Sequence, residues 1–328
     1  MAFWTDRNVF VTGCTGLLGS CLTEALVQSG ANVVGLVRDG VPRSRLVSSG
    51  AVDRINTVSG KVEDYHLLER CLNEYQIQTV FHLAAQTIVG IANQSPLSTF
   101  ESNIRGTWNL LEACRNTSWV EEIVVASSDK AYGEHQELPY SEETPLVANH
   151  PYDVSKACAD LMTQAYAKSY QLPVCVTRFG NLFGSGDTNF DRLIPGTIRS
   201  AVRGEPPVIR SDGKFSRDYI YVADAASAYM ALAEGMASDA AVMGHAFNFS
   251  YESPLSALEV VNKILAQMGR SDLEPKILNA AHNEIPHQYL SSQKARKKLG
   301  WKPKFNFDGG LKLTIPWYKD WLAGGADR

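Results

Sequence analysis

Few features restrict a chain as severely as a short apolar strand that runs into a glycine-rich turn and then a helix. Residues 9–19 read Val9-Phe10-Val11-Thr12-Gly13-Cys14-Thr15-Gly16-Leu17-Leu18-Gly19. Gly13 permits the tight turn, Gly16 lets a pyrophosphate approach the backbone, and Gly19 lets the helix lie close on a sheet. The helix start offers free N–H donors and the positive end of the helix dipole. Gly13, Thr15, Gly16, Leu17, Leu18 and Gly19 are therefore a candidate cradle for the phosphates of a dinucleotide cofactor.

Such a turn needs a βαβ frame, and the first 180 residues supply the pattern. Expected strands at Val9–Thr12, Val33–Val37, Arg54–Val58, Thr79–Leu83, Ile123–Ser127 and Val174–Phe179 alternate with amphipathic stretches at Leu17–Gln28, Leu67–Tyr75, Thr99–Arg115 and Ser155–Tyr170. Short strands separated by helical stretches imply right-handed crossovers and an α/β fold, a Rossmann-type doubly wound parallel sheet. Gly30 fits a left-handed cap after the first helix.

Beyond Gly180 the rhythm breaks. Gly184, Gly186, Gly204, Pro206, Pro207 and Gly213 punctuate shorter elements, and the alternating run Tyr219–Val222 follows. Helical periods return at Ala223–Glu234, Ala257–Met268, Ser292–Leu299 and Gly310–Trp321. The expected organisation is a dinucleotide-binding domain over 1–180, with some later segments returning to it, and a smaller mixed α/β substrate-binding region over 181–328. A chain of 328 residues is long enough for both.

Composition excludes several classes of function. A net charge of −4 offers no broad attraction to nucleic acid or to an anionic membrane. The six cysteines are scattered, without a C-x-x-C pair or a histidine at metal-ligand spacing, so they are read as reduced and structural, with no metal expected. No stretch reaches the roughly 18 apolar residues of a spanning helix. Residues 1–8 lack the pattern of a secretory signal, which makes the cytoplasm the expected location.

Cofactor choice stays open. An acidic residue ending the second strand would bind the ribose hydroxyls of NAD. Here the strand closes with Val37-Arg38-Asp39. Arg38, aided by Arg43 or Arg45, could accept the 2′-phosphate of NADP; equally it could stack on adenine or sit in solvent.

Tyr152-Asp153-Val154-Ser155-Lys156 sets a phenol and an amine four residues apart, on one face if the segment is helical. A nearby ammonium favours the phenolate, which could then take a hydroxyl proton while hydride leaves the carbon. Ser128 lies at the C-terminal end of an expected strand, where ligands of open α/β sheets bind, and can bond the same hydroxyl. Asp129 and Lys130 follow it, either facing the cofactor mouth or forming a surface turn.

The glycine loop, His82-Leu83-Ala84-Ala85-Gln86, Ser128-Asp129-Lys130, Tyr152 with Lys156, and Arg178-Phe179-Gly180-Asn181 together resemble the extended short-chain dehydrogenase/reductases, in particular the nucleotide-sugar 4,6-dehydratases of the NAD-dependent epimerase/dehydratase family. The similarity continues through Arg217-Asp218-Tyr219-Ile220-Tyr221-Val222 to Lys294–Pro303. Phe3-Trp4, Ala84-Ala85-Gln86, Ser128-Asp129-Lys130, Gly186-Asp187 and Asp191-Arg192-Leu193-Ile194-Pro195 resemble CDP-glucose 4,6-dehydratases. Segment Tyr132–His150, notably Tyr140–Leu146, is more similar to the dTDP-glucose branch, so the nucleobase stays open.

The resemblance implies an NAD(P)-dependent hydro-lyase acting on a nucleotide-diphosphate sugar, with Tyr152 as base for oxidation at C4, supported by Lys156 and Ser128. It makes Asp129 the acid that protonates the departing C6 hydroxyl. Lys130 stands where many relatives carry the glutamate that removes the C5 proton, a duty that requires burial or neighbouring cations to depress its pKa. It also implies cofactor contacts at Val62, Leu83, Ala84, Ala85 and Asn103, substrate contacts at Gln86, Thr87 and Asn181, and pyrophosphate clamps at Arg192 and Arg217. His287 either approaches the nucleotide or is a surface histidine. Lys61 and Ser291-Ser292 replace acidic residues common in the family. A homodimer paired through Thr99–Arg115 and Ser155–Tyr170 is implied as well. Two other readings remain: a 4-epimerase using the same Tyr152/Lys156 pair, and a non-catalytic dinucleotide-sensing protein.

Overall fold

A computed structural model describes residues 2–280 and 285–324. Its centre is a seven-stranded sheet built from β1 (Asn8–Thr12), β2 (Asn32–Val37), β3 (Asn56–Ser59), β4 (Thr79–His82), β5 (Glu122–Ala126), β6 (Val174–Phe179) and β7 (Ala246–Phe249). The order is β7-β6-β5-β4-β1-β2-β3, with every neighbouring pair parallel. Helices cover both faces, so the central strands are apolar throughout instead of alternating: Val9, Phe10 and Val11 are fully buried.

On one face lie α1 (Leu17–Gln28) and α6 (Val222–Ser238), which pack against each other over Leu22, Leu26, Phe81 and Tyr229. On the other lie α2 (Tyr65–Glu74), α3 (Gly106–Arg115) and α4 (Pro151–Tyr170), whose Leu68, Cys71, Leu72, Leu110 and Leu111 meet Phe10, Val34 and Val80. The chain reverses direction of winding between β1 and β4. That switch point opens a crevice at the carboxyl ends of the strands.

The expected sheet is present, with three instructive differences. β3 begins at Asn56 because Ala51–Arg54 winds into a 3-10 turn. β7 joins the sheet from far downstream; four residues that include His245-adjacent Ala246 and polar Asn248 carry little strand signal. The stretch expected as one helix over Thr99–Arg115 contains a wide π-helical segment, Glu101–Arg105, entered from the helix Pro96–Phe100. Such widened turns re-aim a side chain, and this one carries Asn103.

Beyond β6 the elements are short. Strand Asn181–Phe183 pairs with Tyr219–Tyr221, and Ser216–Arg217 lies between Leu255–Ser256 and His287–Gln288. Two helices flank them: α5 (Leu193–Arg203) and α7 (Ala257–Met268). Pro195 and Gly196 disguise α5 in the sequence, yet a proline in a first helical turn forfeits no hydrogen bond. A last helix, α8 (Phe307–Ala323), packs on α5 and carries Pro316 within it. All six cysteines are free thiols, and no helix among the described residues is long and apolar enough to cross a membrane.

Candidate active site

A cleft of about 1230 Å³ runs across the carboxyl ends of the strands. Its lining brings together Gly13, Thr15, Gly16, Leu17, Leu18, Gly19, Arg38, Val62, Leu83, Ala84, Ala85 and Thr87 with Ser128, Asp129, Lys130, Tyr152, Lys156, Asn181, Arg192 and Arg217. Segments more than 200 residues apart in sequence, Gly13 and Arg217 among them, thus share one wall.

The glycine cradle is fixed by close approach. Gly13 has φ +76°, and a Cβ there would lie 2.8 Å from the Ala84 nitrogen; a Cβ on Gly19 would meet the Gly13 carbonyl oxygen at 2.0 Å. Gly16 caps α1 without a side-chain hydrogen bond. The first N–H groups of the helix therefore point into the cleft with the dipole behind them, which suits a pyrophosphate. His82 lies behind the cleft, beneath the loop Leu83–Ala85. Buried, it bonds Thr12 Oγ1 (2.8 Å) and Thr107 Oγ1 (3.0 Å), and burial followed by the Lys156 charge pulls its pKa down to about 3. Thr12 Oγ1 in turn accepts from the Leu83 and Ala84 amides, each at 3.2 Å.

Tyr152 and Lys156 occupy the first turns of α4, which opens on Pro151. Both are buried. The Lys156 amine donates to the Ala126 carbonyl at 2.8 Å, and burial lowers its pKa to about 8. Tyr152 moves opposite to the sequence expectation. Burial first, and the Asp129 carboxylate second, push the phenol up to about 12, while Ser128 and the Arg192 guanidinium pull the other way. The Lys156 amine donates to a backbone carbonyl here and not to the phenol.

Ser128 caps the 3-10 turn Asp129–Tyr132: its Oγ accepts from the Lys130 amide at 3.2 Å and donates to Asp129 Oδ1 at 3.0 Å. Asp129 is buried. Gly180 lies beside it and makes room for Asp218, since a Cβ there would stand 2.9 Å from Asp218 Cβ. Lys130 is not the buried amine among cations that base duty would require. It is half-buried, donates to Gln288 Oε1 at 2.6 Å, and faces the Asp153 carboxyl.

Three expected contacts do not line the cleft. Asn103 sits behind it: Oδ1 accepts from the Gln86 amide at 2.7 Å, and Nδ2 donates to the Gln86 carbonyl (3.1 Å) and Ser155 Oγ (2.8 Å). It holds the loop after β4 against α4. Gln86 turns its Oε1 to the Ile88 amide at 3.0 Å. His287 is exposed and bonds Ser216 Oγ at 2.9 Å. On the clamp side, Arg192 pairs with the buried carboxylate of Asp187 at 2.9 Å and reaches Thr87 Oγ1 at 3.5 Å. Arg217 Nη1 bonds the Ser216 (2.9 Å) and Pro286 (3.0 Å) carbonyls. Arg38 is exposed and forms an ion pair with Asp39 at 2.6 Å.

Sequence reasoning passed over Asp153, Asp187, Asp218 and Gln288. Asp218 Oδ2 accepts from the Ser250 hydroxyl and from the Leu290 amide, while Oδ1 has no partner among the described residues. Burial, with the Asp129 charge adding to it, pushes Asp218 up to about 6. Asp153, Asp187 and Asp218 stand inside quoted motifs without a role of their own there, and Gln288 carried no signal.

Residues 10–314 match the family model described as GDP-mannose 4,6 dehydratase. A CDP-glucose 4,6-dehydratase of Salmonella typhimurium is 29% identical, over 98% of this chain and 93% of its own. Among solved structures, dTDP-glucose 4,6-dehydratase of Bacillus anthracis in complex with NAD superposes with a TM-score of 0.84 at 28% identity, covering 96% of this chain and 97% of that one. UDP-glucose 4-epimerase of Thermotoga maritima with UDP-glucose gives 0.86 at 27%, covering 96% and 100%.

Proposed function

The chain belongs to the GDP-mannose 4,6-dehydratase family, and from that premise we propose that it is an NAD-dependent nucleotide-sugar 4,6-dehydratase. It converts an NDP-hexose, CDP-glucose-like, to the NDP-4-keto-6-deoxy sugar. The observation that carries the reading is a carboxyl acid, Asp129, buried in the same cleft as Tyr152 and joined to it through Ser128. Exchange of configuration at C4 needs the phenol but no such acid; loss of the C6 hydroxyl needs one.

NAD fits the glycine cradle. When bound it supplies the hydride acceptor for C4 and later the donor for C6, along with positive charge that offsets the burial of the phenol. The chain's own residues move the protons. Tyr152 takes the O4 proton, with Ser128 beside the same hydroxyl and Lys156 keeping the end of β5 in place. The 4-keto group then acidifies C5–H. Asp129 gives its proton to the C6 hydroxyl, the C6–O bond breaks and water departs as the C5 proton is removed. Return of hydride to C6 and of a proton to C5 completes the turnover, so the net change is loss of one water. Lys130, bonded to Gln288 and facing Asp153, is assigned to the C5 proton.

Residues 1–180 with β7 are assigned to the cofactor and most of 181–328 to the nucleotide sugar. Arg192, Arg217 and Asn181 are assigned to the substrate phosphates, with Thr87 toward the sugar. Arg38 shares its charge with Asp39, which supports NAD over NADP. The same reading makes the molecule a homodimer, with Trp108 and Leu161 exposed on the helices that would pair.

The test is incubation with CDP-, dTDP-, UDP- and GDP-hexoses, followed by mass and NMR analysis of the product. A 4-keto-6-deoxy sugar, absorbing in the ultraviolet in alkali, is expected. A product altered only in configuration would establish the 4-epimerase instead.

A further inference from the structure

The two groups assigned to elimination, Asp129 and Lys130, share an anchor that arrives from 158 residues downstream. Gln288 is fully buried. Its Oε1 accepts from the Lys130 amine at 2.6 Å; its Nε2 donates to the Asp129 carbonyl at 2.9 Å and toward the Gly133 carbonyl at 3.4 Å. The orientation of this amide is unambiguous, because an ammonium can only donate and carbonyls can only accept. A single planar group thus spans the 3-10 turn, from its first residue to the glycine that ends it.

The anchor is itself held. His287–Gln288 runs parallel to Ser216–Arg217, with Gln288 opposite Arg217. The Pro286 carbonyl accepts from the Ser216 amide (3.0 Å) and from Arg217 Nη1 (3.0 Å), and the Leu290 amide donates to Asp218. No bond from Gln288 goes to Tyr152, Lys156 or Ser128 side chains; Lys156 rests on Ala126. Gln288 meets the oxidising half of the cleft only indirectly, through the turn that Ser128 caps.

We propose that Gln288 is the positioning residue of the elimination step, fixing the Asp129 backbone and the Lys130 amine as one body beneath C5 and C6 of the sugar. This rests on the dehydratase reading above. Only an amide suits the place: glutamate could meet the amine but would set an anion against two carbonyls, and leucine could satisfy none of the three groups.

The NAD-loaded enzyme and its Gln288→Leu and Gln288→Glu variants are compared on whichever of CDP-, dTDP-, UDP- or GDP-glucose the wild type converts. Formation of the 4-keto-6-deoxy product should slow about 10- to 100-fold in both, the range of one or two charge-assisted hydrogen bonds. KM should stay nearly constant. The near-ultraviolet absorbance of reduced nicotinamide should build up in the variants above its wild-type level as oxidation outruns elimination, and an Asp129→Asn variant should give the same signature. Gln288→Glu decides the matter if Gln288→Leu folds poorly. Variants that lose oxidation and elimination equally, or that turn over at the wild-type rate, would overturn the role of Gln288 alone. A wild-type enzyme that makes no 4-keto-6-deoxy product would overturn the dehydratase reading and this role with it.

Discussion

On the cofactor side of the cleft the wall is backbone: three glycines, the open end of α1, and the loop Leu83–Ala85 stitched to Thr12. On the substrate side it is charged and amide side chains held by other side chains and carbonyls, Arg192 by Asp187, Arg217 by Pro286, Lys130 by Gln288. The difference lies in how far each kind of wall reaches along the chain. A backbone cradle is completed within about ten residues of one strand–turn–helix unit. A side-chain clamp needs a partner to keep it extended, and the partner comes from wherever the fold can bring one.

The sharpest probe sits on the seam between the two. Tyr152→Phe removes only the proton acceptor, so turnover should fall by a factor on the order of 10³, within the usual span for a positioned acid or base. Calorimetry should find NAD and substrate affinities nearly unchanged; surviving activity would mean the base lies elsewhere. Gly19→Ala attacks the backbone wall. Its new methyl would sit 2.0 Å from the Gly13 carbonyl oxygen, so the turn must open. NAD affinity should drop roughly 100-fold, equivalent to about 3 kcal/mol of lost phosphate contacts and added strain. A smaller pair of effects contrasts the two walls directly. Arg192→Lys keeps a cation against Asp187 but loses the planar fork, and KM for the sugar nucleotide should rise about tenfold. Arg38→Ala removes an exposed guanidinium whose partner is also exposed, and NAD affinity should change by no more than about threefold. If Arg38 proved the more costly of the two, recognition on the cofactor side would not be mainly backbone.

Much of the cofactor side was legible because its signals are local. The glycine spacing predicts the turn, the apolar runs predict β1, β2, β4, β5 and β6, and the Tyr152–Lys156 interval predicts a shared face on α4, which begins early enough to include both. β7 was hidden because four residues with a polar member give no period, and α5 because Pro195 and Gly196 look like breakers. The roles of Asn103 and Gln86 were displaced by one layer: a π-helical turn re-aims Asn103 behind the loop it supports.

Sequence by itself determined the parallel sheet, the phosphate cradle and the inventory of reactive groups, since each depends on residues close enough along the chain to impose their geometry on one another. Tertiary structure alone decided their electrical state. It buried Tyr152 beside Asp129 so that the phenol rises, turned the Lys156 amine onto Ala126, and brought Gln288 and Asp153 to Lys130. Desolvation and hydrogen bonding act through space over a few ångströms, and which groups stand within that distance is a property of the folded chain.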